Sequence, residues 1–484
     1  MKKTLLFVFM FSFVLLQKGF AQDVQWGNMF NSPTSHSILE YIGSDGETDF
    51  YCFDYYNLNG KKFDDINFAA VKNGEVVAVA KKTDIRKGSL EKVYFDGNEI
   101  KVIYSYYNKD TEEYEVICRS VDKTSLTTKN EKVLLSYQSS KKNVNYIYLK
   151  QSDDKSKTMI GYMDVNKKTN IGFVDVAVFG NDLKKLWRKQ YSPEVDGEIF
   201  LQDFILSDKG ELTVVATNQV MERRKTIQRR IIVAKIADDL FEEYKFTYDN
   251  EMEFRSMQAV VLDKDRIAVG AIDNPQFSLV TFVLNIGEGT IETSQIAPLD
   301  KKYAWTVSEI AKLSNGDFVV ACENRYTVEI VSKGPTRYER NNANIRVVGI
   351  NPEKKEPIFN QLISRATMAP GFIAYSTWGF EKPAYFVDGN NFHVLYNTSK
   401  KVDDFSGKPM SRAKTKFKPK NSDVETRLVT FDETGKTQIK TVFAEKTSGG
   451  KYSPLVNEKT GNTQIRIAKI TKRKGVTLGV LNLK

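Results

Sequence analysis

The sequence predicts an all-β chain folded as a single β-propeller of four-stranded antiparallel blades, and three observations carry that prediction. Runs of alternating apolar residues dominate, among them TDFYCFDYY, EIKVIYSYY, ELTVVAT, IIVAKI, DFVVACEN, NFHVLYN and TQIRIAKI; alternation with period two marks a strand with one buried face. No stretch beyond the N-terminus sustains the i, i+3, i+4, i+7 spacing of an amphipathic helix. One phrase is written twice: LSDKGELTVVATN, Leu206 to Asn218, returns as LSNGDFVVACEN, Leu313 to Asn324.

The repeated phrase belongs to a wider series of turns. A first class occurs at Asp45-Gly46, Asp96-Gly97-Asn98, Asp153-Asp154, Asp208-Lys209-Gly210, Asp263-Lys264-Asp265, Asn315-Gly316, Asp388-Gly389-Asn390 and Thr460-Gly461-Asn462. Gly, Asn and Asp accept the backbone angles that tight hairpins demand. A second class falls between them, at Asn73-Gly74, Asn181-Asp182, Asp238-Asp239, Asn351-Pro352 and Asp432-Glu433. Each unit therefore reads strand, turn, strand, longer loop, strand, turn, strand. Such a sheet has two apolar faces to bury, so neighbouring sheets must stack on both sides. A β-sandwich would rarely sustain so many like turns, and a β-helix needs a shorter, stricter period.

Eight turns of the first class imply eight blades, with seven blades and a C-terminal appendage as the alternative. Only 23 residues follow Gly461, room for two strands and not three. The missing outer strand is expected from DVQWGNMF, Asp23 to Phe30. That exchange would close the ring and remove two exposed sheet edges.

The chain begins MKKTLLFVFMFSFVLLQKGFAQ: a basic start at Lys2 and Lys3, an apolar stretch from Leu5 to Leu16, and a small-residue site at Gly19-Phe20-Ala21. This is the three-part pattern of a secretory signal peptide, so residues 1–21 are expected to be removed and the propeller to occupy 22–484. The apolar run is short of the roughly 20 residues that span a bilayer, and no transmembrane anchor is expected. The protein should reside in the periplasm or be secreted. Loss of Lys2, Lys3 and Lys18 lowers the formal charge from +10 to +7, which favours anionic surfaces without specifying nucleic acid. Cys52, Cys118 and Cys322 form no CxxC pair and sit in apolar runs. They read as buried single thiols, with a Cys52–Cys118 disulfide as the alternative an oxidising compartment permits.

Taken together, the signal peptide and the turn series resemble those of secreted bacterial β-propeller proteins of uncharacterised type, over nearly the whole mature chain. WD dipeptides, Kelch double glycines, YWTD repeats and tryptophan-docking motifs are absent, so the resemblance carries over no functional residue.

In a propeller, the loops between second and third strands share one face with the connections between blades. In the fourth unit that loop is NQVMERRKTIQRR, with Arg223, Arg224, Arg229 and Arg230; in the sixth, NRYTVEIVSKGPTRYERNNAN, with Arg337 and Arg340. The seventh holds a long basic insertion near 399–422, including Arg412, Lys414, Lys416 and Lys418 around Phe417. The expected activity is that of a non-catalytic binding or scaffold module, engaging an anionic polysaccharide or a protein partner through this basic face. The plainer reading is that such loops only stay hydrated. Trp305 and Trp378 lie in inter-blade segments, where they would stack on a ligand or wedge blades together.

Enzyme motifs are sparse. The two histidines, His36 and His393, lie far apart, which excludes a His-rich metal centre. There is no GxSxG elbow and no P-loop. No metal or cofactor is expected. The alternative function is a carbohydrate-active enzyme with carboxylates from inter-blade segments, among Glu198, Glu253, Glu309 and Glu381.

Overall fold

The computed structural model describes residues 24–30, 38–54, 65–73, 75–84, 88–138, 144–165, 172–193, 195, 197–222, 225–249, 251–301, 304–330, 337–354, 357–365, 367–370, 383–399, 424–444, 450–453, 464–471 and 475–482. Their regular structure is entirely strand, arranged as antiparallel sheets in a ring. Five sheets follow one another along 38–84, 89–138, 144–191, 198–248 and 254–298. A sixth spans 304–370, a seventh 384–444, and a closing sheet combines 450–482 with 24–30. In the first seven sheets the first strand lies innermost and the next three follow outward in chain order; in the closing sheet the order outward is 450–453, 464–471, 475–482 and 24–30.

The expectation of eight four-stranded blades is corrected. Seven sheets are four-stranded, the alternative number, and the sixth holds five strands. Its second and third strands, Phe318–Ile330 and Arg337–Ile350, run past their neighbours, and the extra strand Thr367–Pro370 pairs with the uncovered length of the third. An overrunning strand presents unpaired backbone groups, and this short strand covers them.

The N-terminal strand Val24–Phe30 does pair with the last strand, Gly475–Asn482, from Val24 opposite Leu481 to Phe30 opposite Val476. It forms the outer edge of the closing sheet, so the two ends of the chain complete one blade. Residues 1–23, where the signal peptide is expected, and the insertion near 399–422 lie outside the described residues. No helix among the described residues is long and apolar enough to cross a membrane.

Among the described residues both turn classes fall where the pattern puts them, between first and second and between third and fourth strands; Gly74 and Thr460-Gly461-Asn462 lie outside the described residues. The aspartates act as local acceptors. Asp96 Oδ1 takes the amides of Asn98 and Glu99, each at 2.8 Å, and Asp432 Oδ1 those of Thr434 and Lys436 at 2.9 Å. Such side-chain bonds hold the hairpin bend without a second strand's help.

The core lies between sheets, most often around an aromatic pair. Phe50 meets Phe95 with ring centres 4.6 Å apart, Tyr137 stacks on Tyr162 at 4.1 Å, and Tyr148 packs on Phe204 at 4.9 Å. Tyr248 meets Phe254 at 4.9 Å, and Phe359 stacks on Phe431 at 5.7 Å. Leu395 and Phe386 meet Ile465 and Leu481 across the junction with the closing sheet. The last junction, between the closing and first sheets, is different among the described residues. There Arg466 Nη2 donates to Asp49 Oδ1 at 3.0 Å, and its guanidinium lies over the Tyr41 ring. Each buried large apolar side chain contributes about 1.5–3 kcal/mol, a partly exposed ion pair about 0–1. The ring is therefore held mainly by its apolar junctions.

Cys52, Cys118 and Cys322 are buried thiols, and no disulfide joins Cys52 to Cys118. Burial pushes the Cys118 thiol up to about 12. His393 is buried too, its Nδ1 2.9 Å from Thr430 Oγ1 and its ring stacked on Phe386.

Candidate functional site

The ring has two unlike ends. At one lie the hairpins between second and third strands and the connections between sheets; at the other lie the tight turns. In the fourth sheet the second and third strands, Leu212–Glu222 and Lys225–Ile236, stay paired out to Glu222 opposite Lys225. The first strand's pairing ends at Gln219 and the fourth strand's at Arg229. The described part of the sequence's basic loop is thus a two-stranded ribbon. In the sixth sheet the overrun is longer, pairing Tyr326 to Ile330 with Asn341 to Arg337. At about 3.4 Å per residue, five residues reach roughly 17 Å beyond the end of the first strand's pairing.

The expected binding residues separate on these ribbons. Arg230 is half-buried and donates through Nη2 to Gln228 Oε1. Arg229 turns inward, 9 % exposed, with Nη2 3.8 Å from Glu253 Oε2. Arg337 and Arg340 hold register positions opposite Ile330 and Thr327 on the longer ribbon. Trp305 is 5 % exposed, packed among Leu279, Val320 and Ile350, with Nε1 donating to the Asp300 carbonyl at 3.3 Å. That is the wedge arrangement, and it leaves no ring face for a ligand. Arg223, Arg224, Arg412, Lys414, Lys416, Lys418 and Trp378 lie outside the described residues.

Beneath the ribbons is a buried polar layer, and it explains the ending of the repeated phrase. Asn218 and Asn324 are 1 % and 0 % exposed. Asn218 Nδ2 donates to the Glu198 carbonyl at 3.2 Å, and Asn324 Oδ1 accepts the Asn344 amide at 2.8 Å. Each satisfies backbone where a strand enters or leaves its sheet. Between the sixth and seventh sheets the layer becomes ionic. Arg365 Nη1 lies 3.5 Å from Glu323 Oε2, the Tyr385 hydroxyl donates to Glu323 Oε1 at 2.9 Å, and Arg365 Nε donates to the Asn397 carbonyl at 3.2 Å.

At the turn end the inner strands line an open cavity of about 640 Å³, together with Leu212, Thr213 and Lys235 of the fourth sheet. Four inner strands contribute: Val144–Gln151, Glu198–Leu206, Phe254–Val261 and Ala304–Lys312. Three of the four carry a register shift, between Leu201 and Asp203, between Phe254 and Ser256, and between Val307 and Glu309. A bulge re-aims the side chains that follow it, and here it precedes both inner carboxylates. Asp203 Oδ1 accepts Lys150 Nζ at 2.9 Å and the Phe204 amide at 2.8 Å, while Oδ2 accepts the Ala259 amide at 3.1 Å. One carboxylate thus ties three successive inner strands. Glu309 has no hydrogen-bond partner among the described residues. Burial pushes its carboxyl up to about 7, with Asp203 adding to the rise and Lys150 opposing it.

Among the described carboxylates proposed for an enzyme, Glu309 lies apart from Glu198 and Glu253. Glu309 lies within an inner strand near the turn end, not in an inter-blade segment, because the strand continues to Lys312. Glu198 begins its strand at the opposite end, and Glu253 precedes the next one there. Glu381 lies outside the described residues. Asp203 and Lys150 escaped the sequence reading because each is a lone charge in an apolar strand, EIFLQDFIL and VNYIYLKQ. A charge a few residues before a first-class turn was the available signal.

No family model matches the chain, and neither does any curated protein. Solved structures match at low identity. The β-propeller domain of the Trilobed protease from Pyrococcus furiosus is 12 % identical with a TM-score of 0.37, covering 86 % of this chain and 98 % of its own. A cobalt-substituted Synechocystis ACO is 10 % identical at a TM-score of 0.40, covering 84 % and 92 %. An oligogalacturonate lyase in complex with manganese is 11 % identical at 0.37, covering 95 % and 96 %. Nothing these proteins bind or transform carries over to this chain.

Proposed function

We propose that the chain is a non-catalytic, extracytoplasmic binding module that engages an anionic polysaccharide through the basic ribbons of the fourth and sixth sheets. The overrun of those two hairpins carries the reading: at one end of the ring both run past the first strands of their sheets, with Arg230 at the base of the shorter one, inside its sheet, and Arg340 and Arg337 along the longer one. A projecting cationic rim concentrates a polyanion without a deep pocket, and its attraction weakens as salt screens it. Export rests on the N-terminal pattern of Lys2, Lys3 and the apolar run after them. Arg229 and Trp305 support the rim from inside and do not contact the polymer.

The test is binding of polygalacturonate to the full mature chain across a salt series. Affinity is expected to fall steeply between 0.05 and 0.5 M salt, taken as roughly 14 to 4 Å in screening length. The triple variant R223E/R224E/R230E should bind at least about tenfold more weakly at low salt, like-charge repulsion replacing attraction. Affinity that is flat with salt, or unchanged in the triple variant, rejects the reading.

A further inference from the structure

The turn-end cavity lies at the opposite end from the basic ribbons and its charge has the opposite sign. Six carboxylates line it, Asp153, Asp203, Asp208, Glu211, Asp263 and Glu309, against Lys150, Lys235 and Lys264. The chain as a whole is strongly basic, at +10, so this local excess of acid runs against the average. Two of its outer carboxylates have local duties. Asp208 Oδ1 accepts the Asp154 amide at 3.0 Å, and Asp263 Oδ2 accepts Arg266 Nε at 2.8 Å. Asp203 is occupied by Lys150 and two amides. Glu309 alone among the inner groups makes no bond to the described residues, and apolar Val260 and Ile310 line the same cavity.

We infer that this cavity binds a small ligand carrying a primary ammonium group on a short apolar chain, with Glu309 as the counter-ion. The volume is within the range of roughly 300–1,000 Å³ seen for small-molecule sites. An unpaired carboxylate in such surroundings is costly, and a bound cation relieves that cost by pairing with it. The charged groups nearest Glu309 are Lys150 and Asp203, which largely neutralise each other at 2.9 Å. Lys235 donates to the Lys264 carbonyl at 2.6 Å, and Lys264 Nζ lies 3.6 Å from Asp265. Among the inner-strand groups the ligand's ammonium therefore meets Glu309 as the free charge. This site is independent of the polysaccharide reading, since no ribbon residue lines it.

The experiment titrates the full mature chain with 1,5-diaminopentane and with pentane-1,5-diol, the uncharged analogue of equal length. The diamine is expected to bind saturably and the diol not at all. Glu309→Gln should weaken the diamine at least about tenfold, the scale of a lost charge-assisted contact. Lys150→Gln should tighten it, because Asp203 then loses its resident cation and becomes a second acceptor. Equal binding of diol and diamine overturns the inference, as does an unchanged affinity in Glu309→Gln. Should that variant not fold, Lys150→Gln decides: tighter binding supports the site and weaker binding overturns it.

Discussion

The two ends of the ring use polar residues in opposite ways. At the hairpin end the polar groups are sealed under the ribbons: Arg365 is 1 % exposed and Glu323 2 %. At the turn end the comparable pair, Lys150 and Asp203, is wet, with the lysine side chain 47 % exposed. The first pair fixes how two sheets meet; the second lines an open cavity. A buried ion pair gives shape at high cost if broken, whereas an exposed one is cheap to remove and so is free to serve a ligand.

The sharpest way to break this comparison is to remove one cation at each end. Arg365→Ala strands Glu323 in the interior and should cost about 3–5 kcal/mol, while Lys150→Ala should cost about 0–1. Chemical denaturation of the two variants measures both. Equal losses would mean that the ends do not differ in this respect.

Two glycines sharpen it next. Gly197, at the hairpin end, has φ +95°, and an added Cβ would lie 2.3 Å from the Gln219 carbonyl oxygen. Gly210, in a first-class turn, has φ +86°, but its Cβ would meet nothing nearer than 3.8 Å. Gly197→Ala should therefore cost about 2–3 kcal/mol, conformational strain plus displacement of a strand. Gly210→Ala should cost about 1–2, the left-handed backbone alone.

The third prediction concerns pH. Glu309 holds its proton up to about 7 in the folded chain, above the 4.5 expected of an unfolded glutamate. Between these values the native state binds more protons than the unfolded one, so stability falls as pH rises through the window. The loss should be on the order of 2 kcal/mol by pH 8. Glu309→Gln should flatten that part of the profile, as unfolding midpoints at pH 5 and pH 8 would show.

The smallest expected effect belongs to the cysteines. With all three buried and outside any disulfide, reductant should leave the melting temperature unchanged, and alkylation should follow unfolding. A downward shift with reductant would reveal a disulfide.

The repeating architecture was legible because turn chemistry is local. Asp96 and Asp432 bond to amides two to four residues away, so the sequence alone locates the bend. Closure by the N-terminal strand was legible from counting strands after Gly461. The sites were not, for two physical reasons. Loop and ribbon look alike in sequence when a hairpin overruns its sheet, which hid the form of the Arg223 to Arg230 segment. A cavity depends on which distant strands lie innermost: Lys150, Asp203 and Glu309 come from three sheets, and bulges aim two of them. Trp305 shows the same limit, since an aromatic in a connecting segment reads equally well as platform or wedge.

The central claim is that the two ends act separately, one on anions and one on cations. Polygalacturonate and 1,5-diaminopentane affinities, each measured alone, should be compared in R223E/R224E/R230E, in Glu309→Gln and in the combined variant. The account predicts that the arginine changes weaken only the polymer, that Glu309→Gln weakens only the diamine, and that the combined variant shows both losses unchanged. A single variant that weakens both ligands equally would contradict it.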